Sequence, residues 1–231
     1  MNLNKTAENL LNNLFISRLS FSYTYKKIIA FTLAEVLITL LIIGIVASLA
    51  IPALIADTQQ AEYITAWKKA YGIISQAQLN MIRDYGSVSE VFSNIYYTTE
   101  GGNNFMNGWL PYLSVIKKCI PGRIISDGCQ TENFKTLDGN TILYYNIQPY
   151  TSGIVLNDGT FIGFYPGICS GSLCSDSNLF IDINGSKEPN VMGKDVFRMS
   201  YLPQKGRFIP GIGGSDCTGA GWNCGAYYLT Q

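Results

Sequence analysis

The sequence predicts an α+β chain: one long N-terminal helix packed on a small antiparallel β-sheet with disulfide-braced loops. Three observations lead there. Some twenty uncharged residues follow Glu35 and run on into an amphipathic stretch that ends near residue 85. Short segments rich in β-branched and aromatic residues appear after residue 140. All six cysteines lie beyond residue 118, and none precedes it.

The elements follow in order. Residues 1–25 are polar and aromatic without a clear period, which marks a pre-sequence rather than part of a fold. Residues 1–30 hold Lys5, Arg18, Lys26 and Lys27 against Glu8, although the whole chain is formally neutral. Basic residues before an apolar span stay on the cytoplasmic side, so the chain beyond it is expected to be translocated. Over 31–56 the only ionisable side chain is Glu35, and the run is long enough to cross a bilayer as a helix. A carboxylate at the start of such a run is expensive and therefore a candidate functional group. Pro52 removes one helical hydrogen bond, so a bend or local unwinding is expected there.

From 57 to 86 the period becomes amphipathic. Ile64, Trp67, Tyr71, Ile74, Met81 and Tyr85 recur at three- and four-residue steps, and Gly86 is the expected stop. The Trp67–Tyr71–Ile74 stripe is expected to be core contact. The first half of the helix suits lipid or other helices, and the second suits packing on a domain. Residues 87–231 form the distal domain, about the size of one compact unit. Its first part, 87–139, is expected to be loop-rich, with a short helix near 109–118. Strands are expected at 141–147, 153–156, 160–165, 178–183 and 196–201, with Asn157-Asp158-Gly159 as a hairpin turn. Tyr144, Tyr145, Phe161, Phe164 and Tyr165 lie at strand spacing and read as core.

Cys119, Cys129, Cys169, Cys174, Cys217 and Cys224 are even in number and confined to the exported side, which reads as disulfides. Six cysteines allow fifteen connectivities; pairing between sequence neighbours is the favoured expectation. Zinc is the rival, but the chain has no CxxC and no histidine. Without histidine there is no Ser–His or Cys–His pair and no histidine acid–base chemistry. No catalytic group set stands out, so an enzyme is not expected. The short basic pairs Lys117-Lys118 and Lys205/Arg207 read as solvated surface, and no nucleic acid is expected.

The segment from Lys26 and Lys27 through Ala30, Phe31-Thr32-Leu33-Ala34-Glu35 resembles the cleavage and methylation signal of type IV pilins and type II secretion pseudopilins. The resemblance implies a pilin-like fold and a leader of residues 1–30, recognised in part through Lys26 and Lys27. It implies that a prepilin peptidase cuts between Ala30 and Phe31 and that Phe31 is then N-methylated. Glu35 would meet the new amino terminus of a neighbouring subunit, which offsets the cost of an unpaired carboxylate among apolar helices. Ala30 replaces the usual glycine. The implied function is structural: a single-pass subunit of the cytoplasmic membrane, its distal domain periplasmic or extracellular. From there it would assemble, on an inner-membrane platform and with identical or related subunits, into a type II secretion pseudopilus. A major or minor type IV pilin is the close alternative.

Two other classes compete. A secreted binding protein would be released after Ser48-Leu49-Ala50, beginning at Ile51, and a membrane-anchored enzyme would keep its anchor. The loop at 178–195 also resembles one near the C-terminus of some exported pilin-like proteins. Asp182, Asn184 and Ser186 have the alternating oxygen spacing that starts many calcium loops, and Asp195 could complete a calcium site. Gly193 stands where a bidentate glutamate would be needed; an Asn-Gly turn capped by Asp182 is the alternative. No other cofactor is expected.

Overall fold

The computed structural model describes residues 32–92, 95–130, 133–140, 142–143, 148–167, 173, 176–211 and 216–231. The chain divides into two units, Met1–Ile51 and Pro52–Gln231. Helix α1 is Leu33–Tyr85, with Pro52 inside it. The unwinding expected at Pro52 is not seen, since the helical backbone continues on both sides. Gly86 ends α1 with φ +85°, a conformation that side chains with a Cβ rarely adopt, and its N–H caps the Ile82 carbonyl at 2.8 Å.

The second unit is α+β. Helix α2 is Thr99–Trp109, and the short helix α3 is Cys224–Leu229. The strands are β1 Val115–Cys119, β2 Phe134–Lys135, β3 Ile142–Leu143, β4 Ser152–Leu156, β5 Phe161–Tyr165, β6 Asn178–Asp182, β7 Val196–Leu202 and β8 Arg207–Pro210. Six of them form one antiparallel sheet in the order β1-β4-β5-β6-β7-β8, while β2 and β3 pair separately. The Asn157-Asp158-Gly159 turn joins β4 to β5, and the Asp158 carboxylate accepts the Thr160 N–H at 3.1 Å.

The sheet is covered on both faces. On one side Trp67, Ile74 and Met81 of α1 and Phe105 and Trp109 of α2 meet Phe164, Phe197 and Phe208. Tyr71, from the same expected stripe, is partly buried against them. On the other side Phe134, Phe161, Phe180, Tyr165 and Met192 pack with the Cys119–Cys129 disulfide. This two-sided cover explains why β5 and β6 are buried at every position instead of alternating.

Two expectations are corrected. The short helix placed near 109–118 lies earlier, at Thr99–Trp109, and Val115–Cys119 is an edge strand. The Thr98 hydroxyl accepts the Gly101 N–H at 3.1 Å and starts α2, ten residues before the expected position. Gly101 and Gly102 sit where a Cβ would strike the Tyr96 and Tyr150 backbones, so poor helix formers stand here for packing reasons. Secondly, β8 and α3 were not anticipated. Of the strand expected at 141–147, Ile142–Leu143 is strand, and residues 141 and 144–147, with Tyr144 and Tyr145, lie outside the described residues.

The sheet's two outer strands differ. On β8, the Gln78 side chain from α1 accepts the Phe208 N–H at 2.6 Å and donates to the Phe208 carbonyl at 3.3 Å. A buried amide thus pairs with the outer edge as a neighbouring strand would. On β1, a register shift falls between Val115 and Lys117, and Lys117 and Lys118 are exposed.

Candidate functional site: the helix start and the acidic loop

Thr32 and Glu35 form a reciprocal cap at the start of α1. The Thr32 hydroxyl oxygen accepts the Glu35 N–H at 3.2 Å, and Glu35 Oε2 accepts the Thr32 N–H at 2.9 Å. The Thr32 hydroxyl also donates to Oε2 at 3.0 Å. Two backbone donors that a helix start leaves open are satisfied this way. The T-x-x-E spacing carries that signal in the sequence. Glu35 therefore has a local role that needs no partner molecule, and its carboxylate is exposed.

Beyond it the helix carries a continuous apolar surface. Leu33 is 80% exposed and Leu49 75%, and Leu37, Leu41, Ile43, Ile45 and Val46 are exposed as well. The most apolar eighteen-residue window has a mean hydropathy of 2.7, and among the described residues none of it is buried. Hydroxyls in this stretch turn back on the helix: Thr39 donates to the Val36 carbonyl at 2.9 Å and Ser48 to the Ile45 carbonyl at 2.8 Å. That is how an apolar solvent is satisfied, because no polar hydrogen is left seeking water. Among the described residues this is one helix long and apolar enough to cross a membrane. Lys26, Lys27, Ala30 and Phe31 lie outside the described residues.

The second candidate is the loop from β6 to β7. Asp182 ends β6, Asn184 is in the following turn, and Asp195 precedes β7. Both aspartates are fully buried. Asp182 Oδ1 accepts the Asn184 N–H at 3.2 Å, and Oδ2 accepts the Gln130 side-chain amide. Asp195 takes two backbone N–H groups, from Asn190 at 2.8 Å on Oδ2 and from Val191 at 2.7 Å on Oδ1. The Asn184 amide donates to the Glu188 carbonyl at 3.2 Å, and its Oδ1 is buried with no hydrogen-bond partner.

Electrostatics follow from that placement. Burial, and then the charge of Asp195, push the Asp182 carboxyl well above the usual carboxylate range, against the pull of its hydrogen bonds. Burial likewise raises Asp195, opposed by the Val191 and Asn190 amides. Among the described residues neither carboxylate is ion-paired to lysine or arginine. The structure thus brings the three expected ligands into one loop, but it also commits every carboxylate oxygen to a protein donor. Among the described residues no three His, Cys, Asp or Glu side chains gather closely enough to hold a metal ion. Gln130, which ties this loop to the Cys119–Cys129 segment, carries no sequence signal because its partner is 52 residues away.

Among the described residues two disulfides are present, Cys119–Cys129 and Cys217–Cys224, both between sequence neighbours, and no described cysteine is free. Cys169 and Cys174 lie outside the described residues. No family model matches the chain, and no curated protein and no solved structure is significantly similar to it.

Proposed function

We propose that the chain is a pilin-like structural subunit, cut between Ala30 and Phe31, N-methylated at Phe31, and assembled through α1 into a type II secretion pseudopilus. The observation that carries the reading is the apolar, uncovered first half of α1, with one carboxylate at its start. Such a surface needs lipid or other helices around it. In the membrane it anchors the subunit; in a filament, neighbouring helices take the place of lipid. Prepilin peptidase and an inner-membrane assembly platform are the partners this reading requires, and a type IV pilin is the alternative filament.

The decisive measurement is the mass of the N-terminal peptide of the mature protein from its native membrane. N-methylated Phe31 is the expected start. A start at Ile51 would make this a secreted domain, and an intact Met1 without filaments a plain anchor.

Glu35 can be tested apart from its capping role. Glutamine at the third helical position still closes a capping box, whereas alanine does not. Glu35→Gln is expected to insert and be processed normally yet yield no sheared filaments, as Glu35→Ala does. Wild-type filament yield from Glu35→Gln would assign Glu35 to the helix cap alone.

For the acidic loop the reading is calcium held by Asp182, Asn184 and Asp195, supported by two buried carboxylates that no lysine or arginine among the described residues pairs with. A ligand at one hundred times its Kd adds about 2.7 kcal/mol of stability. Thermal melts in calcium and in chelator are expected to differ accordingly; coincident melts would leave the loop a purely structural turn.

A further inference from the structure

The C-terminal helix α3 is only six residues long, and such helices do not hold their shape unaided. Its start has no side-chain cap: Asn223 makes no capping bond, and its Oδ1 is buried without a partner. What fixes the first turn is the Cys224 sulfur, bonded to Cys217. From there α3 seats on α1 and β7. Trp67 Nε1 donates to the Gly225 carbonyl at 2.9 Å, and the Gln60 amide donates to the Tyr228 hydroxyl at 2.8 Å. Tyr228 stands edge-on to Phe197 with ring centroids 6.2 Å apart, and its hydroxyl lies 3.5 Å from Cys217 Sγ.

The two described disulfides are not equally accessible. Cys119 and Cys129 are 0% and 2% exposed, inside the second core cluster. Cys224 is fully buried, but Cys217 is only partly so. A thiolate needs in-line access to one sulfur of the bond it attacks. Cys217 is partly exposed in the folded state, whereas both cysteines of Cys119–Cys129 are buried, so that bond must first open locally.

We propose that Cys217–Cys224 is a redox latch on the C-terminal helix: a dithiol reductant opens it before Cys119–Cys129, and opening frees α3 from Trp67. One thiolate of the dithiol attacks Cys217 Sγ; the S–S bond breaks, and the electron pair leaves on Cys224 Sγ, which takes a proton. The second thiol attacks the mixed disulfide, releasing Cys217 as a thiol and the reagent as its own disulfide. Two electrons and two protons pass to the protein. Oxidising surroundings close the latch and seat the helix.

The test is a dithiothreitol titration of the full chain in detergent micelles. Samples are trapped with iodoacetamide for peptide mass spectrometry, and hydrogen exchange is followed in parallel. Cys217 and Cys224 are expected to be alkylated at reductant levels that leave Cys119 and Cys129 protected. At that point amides of α3 are expected to exchange about ten-fold faster or more, with those of β5 and β6 unmoved. A Cys217→Ser, Cys224→Ser double variant is expected to show the same fast α3 without reductant. Alkylation of Cys119 and Cys129 first or simultaneously overturns the proposal, as does unchanged α3 exchange once Cys217–Cys224 is open. Both outcomes are read on the wild-type chain, so they stand even if the double variant does not fold.

Discussion

Trp67→Ala is expected to destabilise the Pro52–Gln231 unit by about 3–5 kcal/mol, the range for removing a large buried aromatic. Three losses combine. The indole is fully buried, so its removal leaves a cavity that the sheet and helix cannot both close around. Its ring stacks on Phe197 at a centroid separation of 4.5 Å, a contact that links α1 to β7. Its Nε1 satisfies the Gly225 carbonyl, which would be left without that donor. Urea unfolding followed by circular dichroism gives the number. A cost under about 1 kcal/mol would mean that α1 is not integral to the core of this unit. Trp67→Phe keeps most of the ring contact and loses the hydrogen bond, so it is expected to fall between wild type and alanine.

Asp195→Ala, measured in chelator so that no metal contributes, is expected to cost about 2–5 kcal/mol. The carboxylate is the acceptor for two successive backbone N–H groups, that of Asn190, which is buried, and that of Val191, which is partly buried. Each buried donor left without a partner costs about 1–3 kcal/mol. Asp195→Asn keeps one acceptor oxygen and removes the charge that burial opposes. It is therefore expected to cost less than half as much. The same urea experiment separates them: equal losses for Ala and Asn would show that the charge, not the acceptor, is what the loop needs.

The sequence made legible what depends on local pattern. The expected strands at 153–156, 160–165, 178–183 and 196–201 match β4 to β7 within a residue or two at each end. Runs of β-branched and aromatic residues bounded by turn residues sufficed there, and Asn-Asp-Gly leaves the chain few ways to continue. Gly86 as the helix stop and Trp67 and Ile74 as core were legible for the same reason. What escaped depends on distant partners. Val115–Cys119 is exposed through its middle and shows no alternation, so only its pairing with β4 makes it a strand. β8 is four residues long and owes its place to β7 on one side and a helix glutamine on the other. The candidate site divides in the same way. Glu35 stood out because a charge in an apolar run is conspicuous, and the cap with Thr32 is a spacing of three residues. The grip of Gln130 on Asp182 spans 52 residues and no spacing announces it, while the two amides on Asp195 are four and five residues away in a loop whose course no sequence motif specifies.

The contrast between the two sheet edges bears on how copies of this chain can meet. An open strand is a template onto which another chain can add, and sheets left unguarded grow into fibres of their own. Here the Gln78 amide occupies one edge at Phe208, and the other carries a register shift and adjacent lysines that set like charges against any second copy. Polymerisation through the backbone is thus disfavoured at both ends of the sheet. Any contact between copies is therefore left to surfaces other than the strand edges, and the largest exposed apolar one among the described residues lies on α1.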